Sequence, residues 1–279
     1  MKPETVCTVV FSPTGTSRKI AEAVARGIAS GAGAEALKTI DLTHAAAQSA
    51  VLPAGAVAVI AAPVYGGHVA PTAAKRLETL RGSGTPAVVI AVYGNRAFEK
   101  AAAELAALAA RQGFVPVAAA AFVGEHSYST PETPVAAGRP DAQDLARAAE
   151  FGAAVRKKLA AGTPAPVDAA KLKDVHTPLV PMLRFIRFVV GYRRRQKKNP
   201  VVYLPACDAD RCTHCGRCAA ICPTQAVARG DEAHTDPARC IRCCACVKGC
   251  PVGARSFHTP FAAALTRSFT RRKQPVTIL

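Results

Sequence analysis

The stretch Cys212-Thr213-His214-Cys215-Gly216-Arg217-Cys218-Ala219-Ala220-Ile221-Cys222-Pro223 returns with the same spacing at Cys240-Ile241-Arg242-Cys243-Cys244-Ala245-Cys246-Val247-Lys248-Gly249-Cys250-Pro251. Each copy reads Cys-x-x-Cys-x-x-Cys-x-x-x-Cys-Pro. Thiolate is a soft, charged ligand suited to iron in a sulfide core. Three cysteines at this spacing let one tight loop hold three corners of a cubane. The fourth is carried away by the turn before proline and reaches the neighbouring cluster. The repeat therefore assigns Cys212, Cys215, Cys218 and Cys250 to one 4Fe–4S cluster, and Cys240, Cys243, Cys246 and Cys222 to a second. A zinc site uses four ligands, usually as separated Cys-x-x-Cys pairs. A disulfide framework needs an oxidising compartment. Neither calls for two identical runs.

Over roughly 206–256 the segment resembles a bacterial two-cluster ferredoxin domain, which implies a small α+β fold holding two clusters side by side. Cys7, Cys207 and Cys244 stand outside the two runs. Cys244 takes the place that Gly216 has in the first run. It reads as a small-residue substitute or a spare thiol rather than a ligand, and Cys207 as a packing cysteine. Unpaired thiols beside oxygen-labile clusters point to a reducing cytoplasm.

Outside that region the chain is long enough for a second domain: it has 279 residues and is 50% hydrophobic. Net charge is +17, and residues 161–279 supply most of it, with 20 Lys+Arg against 7 Asp+Glu. Part of this excess offsets anionic clusters. The rest suits an acidic docking surface on a redox partner or an anionic membrane surface. The basic runs match no recognised nucleic-acid module, so no nucleic acid is expected. No signal peptide is apparent: Val6–Phe11 is short and ends at Ser12-Pro13. Residues 43–74 contain no charged residue, but Pro53, Pro63, Pro71 and Gly66-Gly67 interrupt them, which argues against a spanning helix.

Residues 1–160 alternate strand and helix patterns. Short apolar, β-branched runs occur at Thr5–Phe11, Leu37–Leu42, Gly55–Ala61, Pro86–Val92 and Val115–Val123. Helical stretches occur at Arg18–Ala29, from Pro71, from Phe98 to Gln112 and from Asp141 to Leu159, with Asp141 as a cap. This reads as five β–α units: an α/β, doubly wound, five-stranded parallel sheet. The polar loops all follow strands, at the edge where such sheets bind ligands. Ser12-Pro13-Thr14-Gly15-Thr16-Ser17 lies between a strand and a helix N-terminus. That is either a phosphate cradle or an ordinary N-capped turn. Gly31-Ala32-Gly33 follows a helix and lacks a third glycine, so it is no dinucleotide fingerprint.

Residues 5–160 resemble a flavodoxin-type domain, and the whole chain resembles the flavodoxin–ferredoxin fusion family. The matching residues are Ser12, Thr14, Gly15 and Thr16 for the phosphate loop, then Pro63-Val64-Tyr65-Gly66-Gly67 and Tyr93-Gly94-Asn95-Arg96 for two flavin loops. The resemblance implies FMN. The hydroxyls would hold its phosphate, Tyr65 and Tyr93 would stack on or edge its ring, and Gly66, Gly67, Gly94 and Asn95 would let backbone amides approach. The chain departs from small flavodoxins in having no Trp. It also carries His68 and Arg96 where acidic residues are usual, so a less negative second flavin potential is expected. His126, in Gly124-Glu125-His126-Ser127, either contacts the flavin or only structures its loop.

The remaining segments read as a linker (161–205), the ferredoxin domain (206–258) and a basic tail (259–279) that either packs back on the domains or stays mobile. Within the linker, Pro181–Lys198 projects as an amphipathic helix. Met182, Phe185, Ile186 and Val189 share one face, and Arg184, Arg187, Arg194, Arg195 and Lys198 the other. It either lies on an anionic membrane or bridges to the flavodoxin-like domain. No catalytic residue is assigned. The expected function is electron transfer between two 4Fe–4S clusters and a two-electron FMN. An FMN-dependent reductase of a small acceptor and a redox-sensing iron–sulfur protein are the alternatives.

Overall fold

The structure is a computed structural model that describes residues 4–30, 36–44, 49–162 and 165–279. Two compact units divide the chain. The first comprises 1–125, 138–175 and 273–279; the second comprises 126–137 and 176–272.

The first unit begins with β1 (Thr5–Val10), α1 (Thr16–Ala29) and β2 (Ala36–Asp41). It continues through β3 (Ala50–Leu52), β4 (Ala56–Tyr65), β5 (His68–Val69), α2 (Pro71–Leu77) and β6 (Leu80–Gly82). Then come β7 (Thr85–Tyr93), α3 (Ala101–Arg111), β8 (Phe114–Val123) and α4 (Ala142–Ala160). Strands β2, β1, β4, β7 and β8 lie side by side in that order and pair in parallel. The register runs Val9 to Ile60 to Val89 to Ala119. This is the flavodoxin-like order, in which the first strand sits inside the sheet and the connection reverses between β1 and β4. The strands are rich in Val, Ile and Ala because helices cover both faces.

Helices α1 and α4 pack together on one face. Ile20, Val24 and Ile28 meet Phe151, Val155 and Leu159 over the strand side chains. Their backbones approach closely at Gly27 and Gly152, where an added Cβ would run into Ala149 O and Val24 O respectively. Asp141 caps α4 in a box with Asp144: Asp144 N donates to Asp141 Oδ1 at 3.0 Å and Asp141 N to Asp144 Oδ2 at 3.1 Å.

Two sequence expectations need correcting here. The five parallel strands are present, but among the described residues no helix lies between β2 and β4; the short strand β3 lies there instead and pairs with β6. Residues 45–48 and Gly31-Ala32-Gly33 lie outside the described residues. Residues 259–279 are not simply a tail either. Val276–Ile278 forms a strand antiparallel to β8, so the sheet gains an edge strand from the far end of the chain. Residues 165–175 likewise belong to this unit: the Asp174 carboxylate accepts from Phe98 N at 2.7 Å and Glu99 N at 3.1 Å.

The second unit contains α5 (Leu179–Lys198), β9 (Ala206–Cys207), α6 (Arg217–Ala220), α7 (Ala245–Lys248), β10 (Arg255–Ser256) and α8 (Pro260–Ser268). Strands β9 and β10 pair antiparallel. Helix α5 finds its partner in α8. Phe185 meets Phe269 with ring centroids 5.0 Å apart, and Phe261 lies edge-on to Phe188 at 5.1 Å and to Tyr192 at 4.8 Å. Val135 joins the same cluster. The inner face is therefore Phe185, Phe188, Val189 and Tyr192, and Ile186, expected inside, is exposed. Among the described residues no helix is long and apolar enough to cross a membrane.

Candidate cluster and flavin sites

The two cysteine runs fold as copies of one loop. Left-handed backbone occurs at matching positions in each: His214 and Arg242, Gly216 and Cys244, Gln225 and Gly253. The left-handed residues Gly216 and Cys244 cap α6 and α7, which carry Cys218 and Cys246. The fourth cysteines also match, since Ala226 N donates to Cys222 Sγ and Ala254 N to Cys250 Sγ, both at 3.2 Å. An N–H aimed at sulfur favours the thiolate over the thiol. At Cys250, burial raises the thiol, but the backbone amides of Arg255, Val252, Ala254 and Gly253 outweigh it and leave the group below its ordinary value.

Each loop borders a small cavity, open in part to solvent. Cys212, Cys215, Cys218 and Cys250 line the first. Cys222, Cys240, Cys243 and Cys246 line the second, with Cys244 beside them. These are the two crossed sets that the spacing assigns. The cysteines surround space instead of converging on a point: among the described residues no group of three or more His, Cys, Asp or Glu is placed to hold a single metal ion. A tetrahedral zinc would draw four sulfurs to about 3.8 Å of each other, from a Zn–S bond of about 2.3 Å. Cages ringed by thiols suit a larger, sulfide-filled core. Burial pushes Cys243 up to about 12 and Cys246 up to about 11 without such a core, so loading it must displace protons.

In the first unit the three predicted flavin-type loops end adjacent strands, β1, β4 and β7, at one edge of the sheet. Gly15 caps α1 with left-handed backbone, and nothing lies within 4 Å of where its Cβ would stand. Ser12 Oγ accepts from Arg18 N at 3.0 Å, and Ser12 N donates to Thr43 Oγ1 at 2.9 Å. Thr14 and Thr16 remain partly exposed. Ser17, absent from the predicted set, is the residue the structure adds. It is 1% exposed and its hydroxyl has no hydrogen-bond partner among the described residues. An orphaned donor beside the open N-terminus of a helix fits an anion such as a phosphate. Its serine was visible in the loop, but its burial was not.

The second loop is a hairpin. Strand β4 runs on through Pro63, Val64 and Tyr65, turns at Gly66-Gly67, and pairs Tyr65 with His68 in β5. Both glycines have positive φ, as a two-residue hairpin turn requires. Tyr65 is partly exposed. Tyr93 is 2% exposed, packs edge-on against Phe98 at 5.5 Å, and leaves its hydroxyl buried without a partner among the described residues. Burial, then the charge of Asp174, raises its phenol. A stacking face is therefore available from Tyr65 and not from Tyr93. Asn95 is buried with φ 63°, and Gly94 and Arg96 are partly exposed. Lys273, just before the last strand, reaches this loop and donates from Nζ to Arg96 O at 2.5 Å.

The loop cations each have an acid partner. His68 Nδ1 lies 2.6 Å from Glu104 Oε1, and Arg96 Nη1 lies 2.5 Å from Glu99 Oε1. The expected shift of a flavin potential by bare positive charge thus loses its basis. His126 lies in the second unit, where its Nδ1 accepts from Tyr128 N at 3.1 Å and its ring packs edge-on to Tyr128 at 4.8 Å.

A family model described as a 4Fe-4S binding domain matches residues 208–228 and 233–256, one cysteine run in each. No curated protein matches the chain. Among solved structures, a flavodoxin from the domain Archaea is 15% identical with TM-score 0.34, over 56% of this chain and 99% of that one. The two-electron reduced flavodoxin of Megasphaera elsdenii is 14% identical with TM-score 0.33, over 54% and 99%. The flavodiiron protein from Giardia intestinalis is 16% identical with TM-score 0.32, over 56% of this chain and 36% of that one. The fold of the first unit rests on its own strand order. The chain thus joins a unit of flavodoxin-like topology to a 4Fe–4S ferredoxin-type domain that carries both cysteine runs.

Proposed function

We propose that the protein is an electron-transfer iron–sulfur flavoprotein with two 4Fe–4S clusters and one FMN. The observation that carries this reading is the pair of cavities, each ringed by three cysteines of one run and the fourth of the other. With both kinds of cofactor bound, the chain would convert between one-electron and two-electron carriers. Its own residues have separate tasks. The crossed sets hold the clusters side by side, and the amides of Ala226 and Ala254 steady the sulfurs of Cys222 and Cys250. Ser12 organises the first turn of α1, and Thr14, Thr16 and Ser17 offer hydroxyls to the FMN phosphate. Tyr65 offers its ring, and the backbone at Gly66, Gly67, Gly94 and Asn95 offers donors to the flavin rim.

The basic C-terminal half suits redox partners with an acidic docking surface, and the outer face of α5 suits peripheral contact with an anionic membrane. The protein would work in the cytoplasm. The test is iron, sulfide and flavin analysis of anaerobically purified protein. About eight irons, the content of two cubanes, and one FMN are expected. Eight irons with no flavin after incubation with FMN would remove the flavin half of the reading. Four irons would remove the second cluster.

A further inference from the structure

Arg255 is a cation in an unexpected place. It lies in β10, is 4% exposed, and borders the cavity of Cys212, Cys215, Cys218 and Cys250. From there Nη1 donates to Glu232 O at 2.5 Å, and Nη2 reaches Thr235 Oγ1 and, at 3.4 Å, Pro205 O. Pro205 and Thr235 line the other cavity. One guanidinium therefore borders one cage and holds two residues that line the other.

These oxygen acceptors are all neutral. Among the described residues no carboxylate pairs with it. The Glu232 carboxylate, also buried, instead accepts from Gly230 N at 2.9 Å and faces His214 Nδ1 at 3.3 Å. Arg255 Nε is buried with no hydrogen-bond partner among the described residues. A guanidinium cannot shed its proton in a protein, and a buried charge without a counter-charge is strongly destabilising. The missing anion must lie where Arg255 faces.

We propose that Arg255 is the shared counter-charge of the two clusters and raises the reduction potential of both. The inference rests on the two-cluster reading. Reduction of a cluster adds one electron and forms or breaks no bond, so its negative charge grows by one. A fixed cation nearby stabilises that reduced form more than the oxidised one. Low exposure strengthens the effect, because little water screens it.

The experiment compares the parent with R255Q and R255K as full-length, anaerobically purified proteins. Iron per chain is measured first, then the cluster midpoints by dithionite titration followed by EPR. Fewer than about eight irons in the parent would defeat the two-cluster reading itself. With the parent loaded, R255Q should lower both midpoints by at least tenfold in the reduction equilibrium constant, which is 59 mV for a one-electron couple. R255K, which keeps the charge and loses the planar fork, should stay within about threefold of the parent, less than 30 mV on the same scale. Unchanged midpoints in an iron-loaded R255Q would overturn the inference. If R255Q loses its iron, R255K decides. Clusters retained at parental potential support the counter-charge, and clusters lost or shifted assign Arg255 a purely structural role.

Discussion

Gly216 and Cys244 occupy the same place in the two cysteine loops, with φ of 70° and 58°, each capping the short helix that carries the third cysteine of its run. The conformation costs a non-glycine residue about 1 kcal/mol. Cys244 tolerates it while buried, its thiol 3.7 Å from Arg242 O. Its position is that of a loop residue, and Cys243 beside it is the ligand of the proposed cluster. C244A should keep about eight irons, whereas C243A should lose the four of its cluster. C244G should exceed C244A in stability by about 1 kcal/mol, since only glycine is free of the φ penalty. Iron analysis and urea titration read the two effects separately. A C244A protein with four irons would make Cys244 a ligand.

Ser17 gives a test that separates binding from folding. Its buried hydroxyl has no hydrogen-bond partner among the described residues, so removing it breaks no hydrogen bond among them. S17A should leave the flavin-free protein as stable as the parent or slightly more stable. A hydrogen bond to a charged group is worth about 1.5–3 kcal/mol, so FMN affinity should fall by at least about tenfold. Flavin fluorescence quenching measures the affinity. An unchanged Kd would place the phosphate elsewhere.

Asp41 links the end of β2 to the same loop. Burial works to raise its carboxyl, but Thr43, donating from its N–H at 2.8 Å, and the Arg18 guanidinium at 2.6 Å bring it below the ordinary value. A carboxyl depressed on folding stabilises the protein fully above its unfolded value of about 3.9. That contribution is lost as pH falls through the folded value. The pair is partly exposed, so D41N should cost no more than about 1 kcal/mol at pH 7. The gap between parent and D41N in urea should stay flat from pH 7 to about 5 and close below the ordinary aspartate value. A gap that widens in acid would show that Asp41 is not held ionised.

What the sequence disclosed follows how local each signal is. The grouping of eight cysteines around two cavities was legible because spacing alone fixes which residues each loop brings together. The strands of the parallel sheet were legible because burial on both faces leaves unbroken apolar runs. Asp141 was legible as a cap because capping is settled within one turn. Helix α5 shows the limit. Its periodicity gave an apolar face but not the partner, and Phe261 and Phe269 of the C-terminal region select Phe185 and Phe188 while leaving Ile186 outside. The edge strand Val276–Ile278 is three residues long and owes its pairing to β8. Arg255 reads as one more basic residue until tertiary structure buries it. The Gly66-Gly67 hairpin carried a usable sign, two glycines between short apolar pairs.

Arg139 and Asp144 form the buried ion pair of the first unit. Arg139 Nε donates to Asp144 Oδ2 at 2.7 Å, Nη2 reaches the other carboxylate oxygen, and Nη1 donates to Lys273 O at 3.0 Å. Asp144 also closes the capping box, so one carboxylate ties α4 to Arg139, which in turn holds the approach to the last strand. D144A leaves a buried guanidinium unpaired and should cost about 3–5 kcal/mol. D141A removes only the cap and should cost about 1 kcal/mol. Urea unfolding of the two variants measures the difference. Equal losses would mean that the cap, and not the ion pair, sets the stability of α4.

The outer face of α5 leads to a prediction about surfaces. Leu179, Leu183, Ile186 and Val190 recur at helical spacing and are 69%, 54%, 48% and 43% exposed. The same face continues into Arg193, Arg194 and Lys197, all exposed or beside exposed residues. A helix of 20 residues is about 30 Å long, enough to lie along a bilayer surface with its apolar half in the headgroup boundary and its basic half on anionic lipid. The inner face is already occupied by Phe261 and Phe269, so docking need not unfold the helix pair. The protein should co-sediment with vesicles rich in phosphatidylglycerol and much less with phosphatidylcholine. Raising the salt should release part of it, because the Debye length falls to about 3 Å at 1 M. L183E together with I186E should abolish binding while leaving helix content unchanged, since neither residue packs inside. A parent protein that sediments no better than this double variant would confine α5 to its partnership with α8.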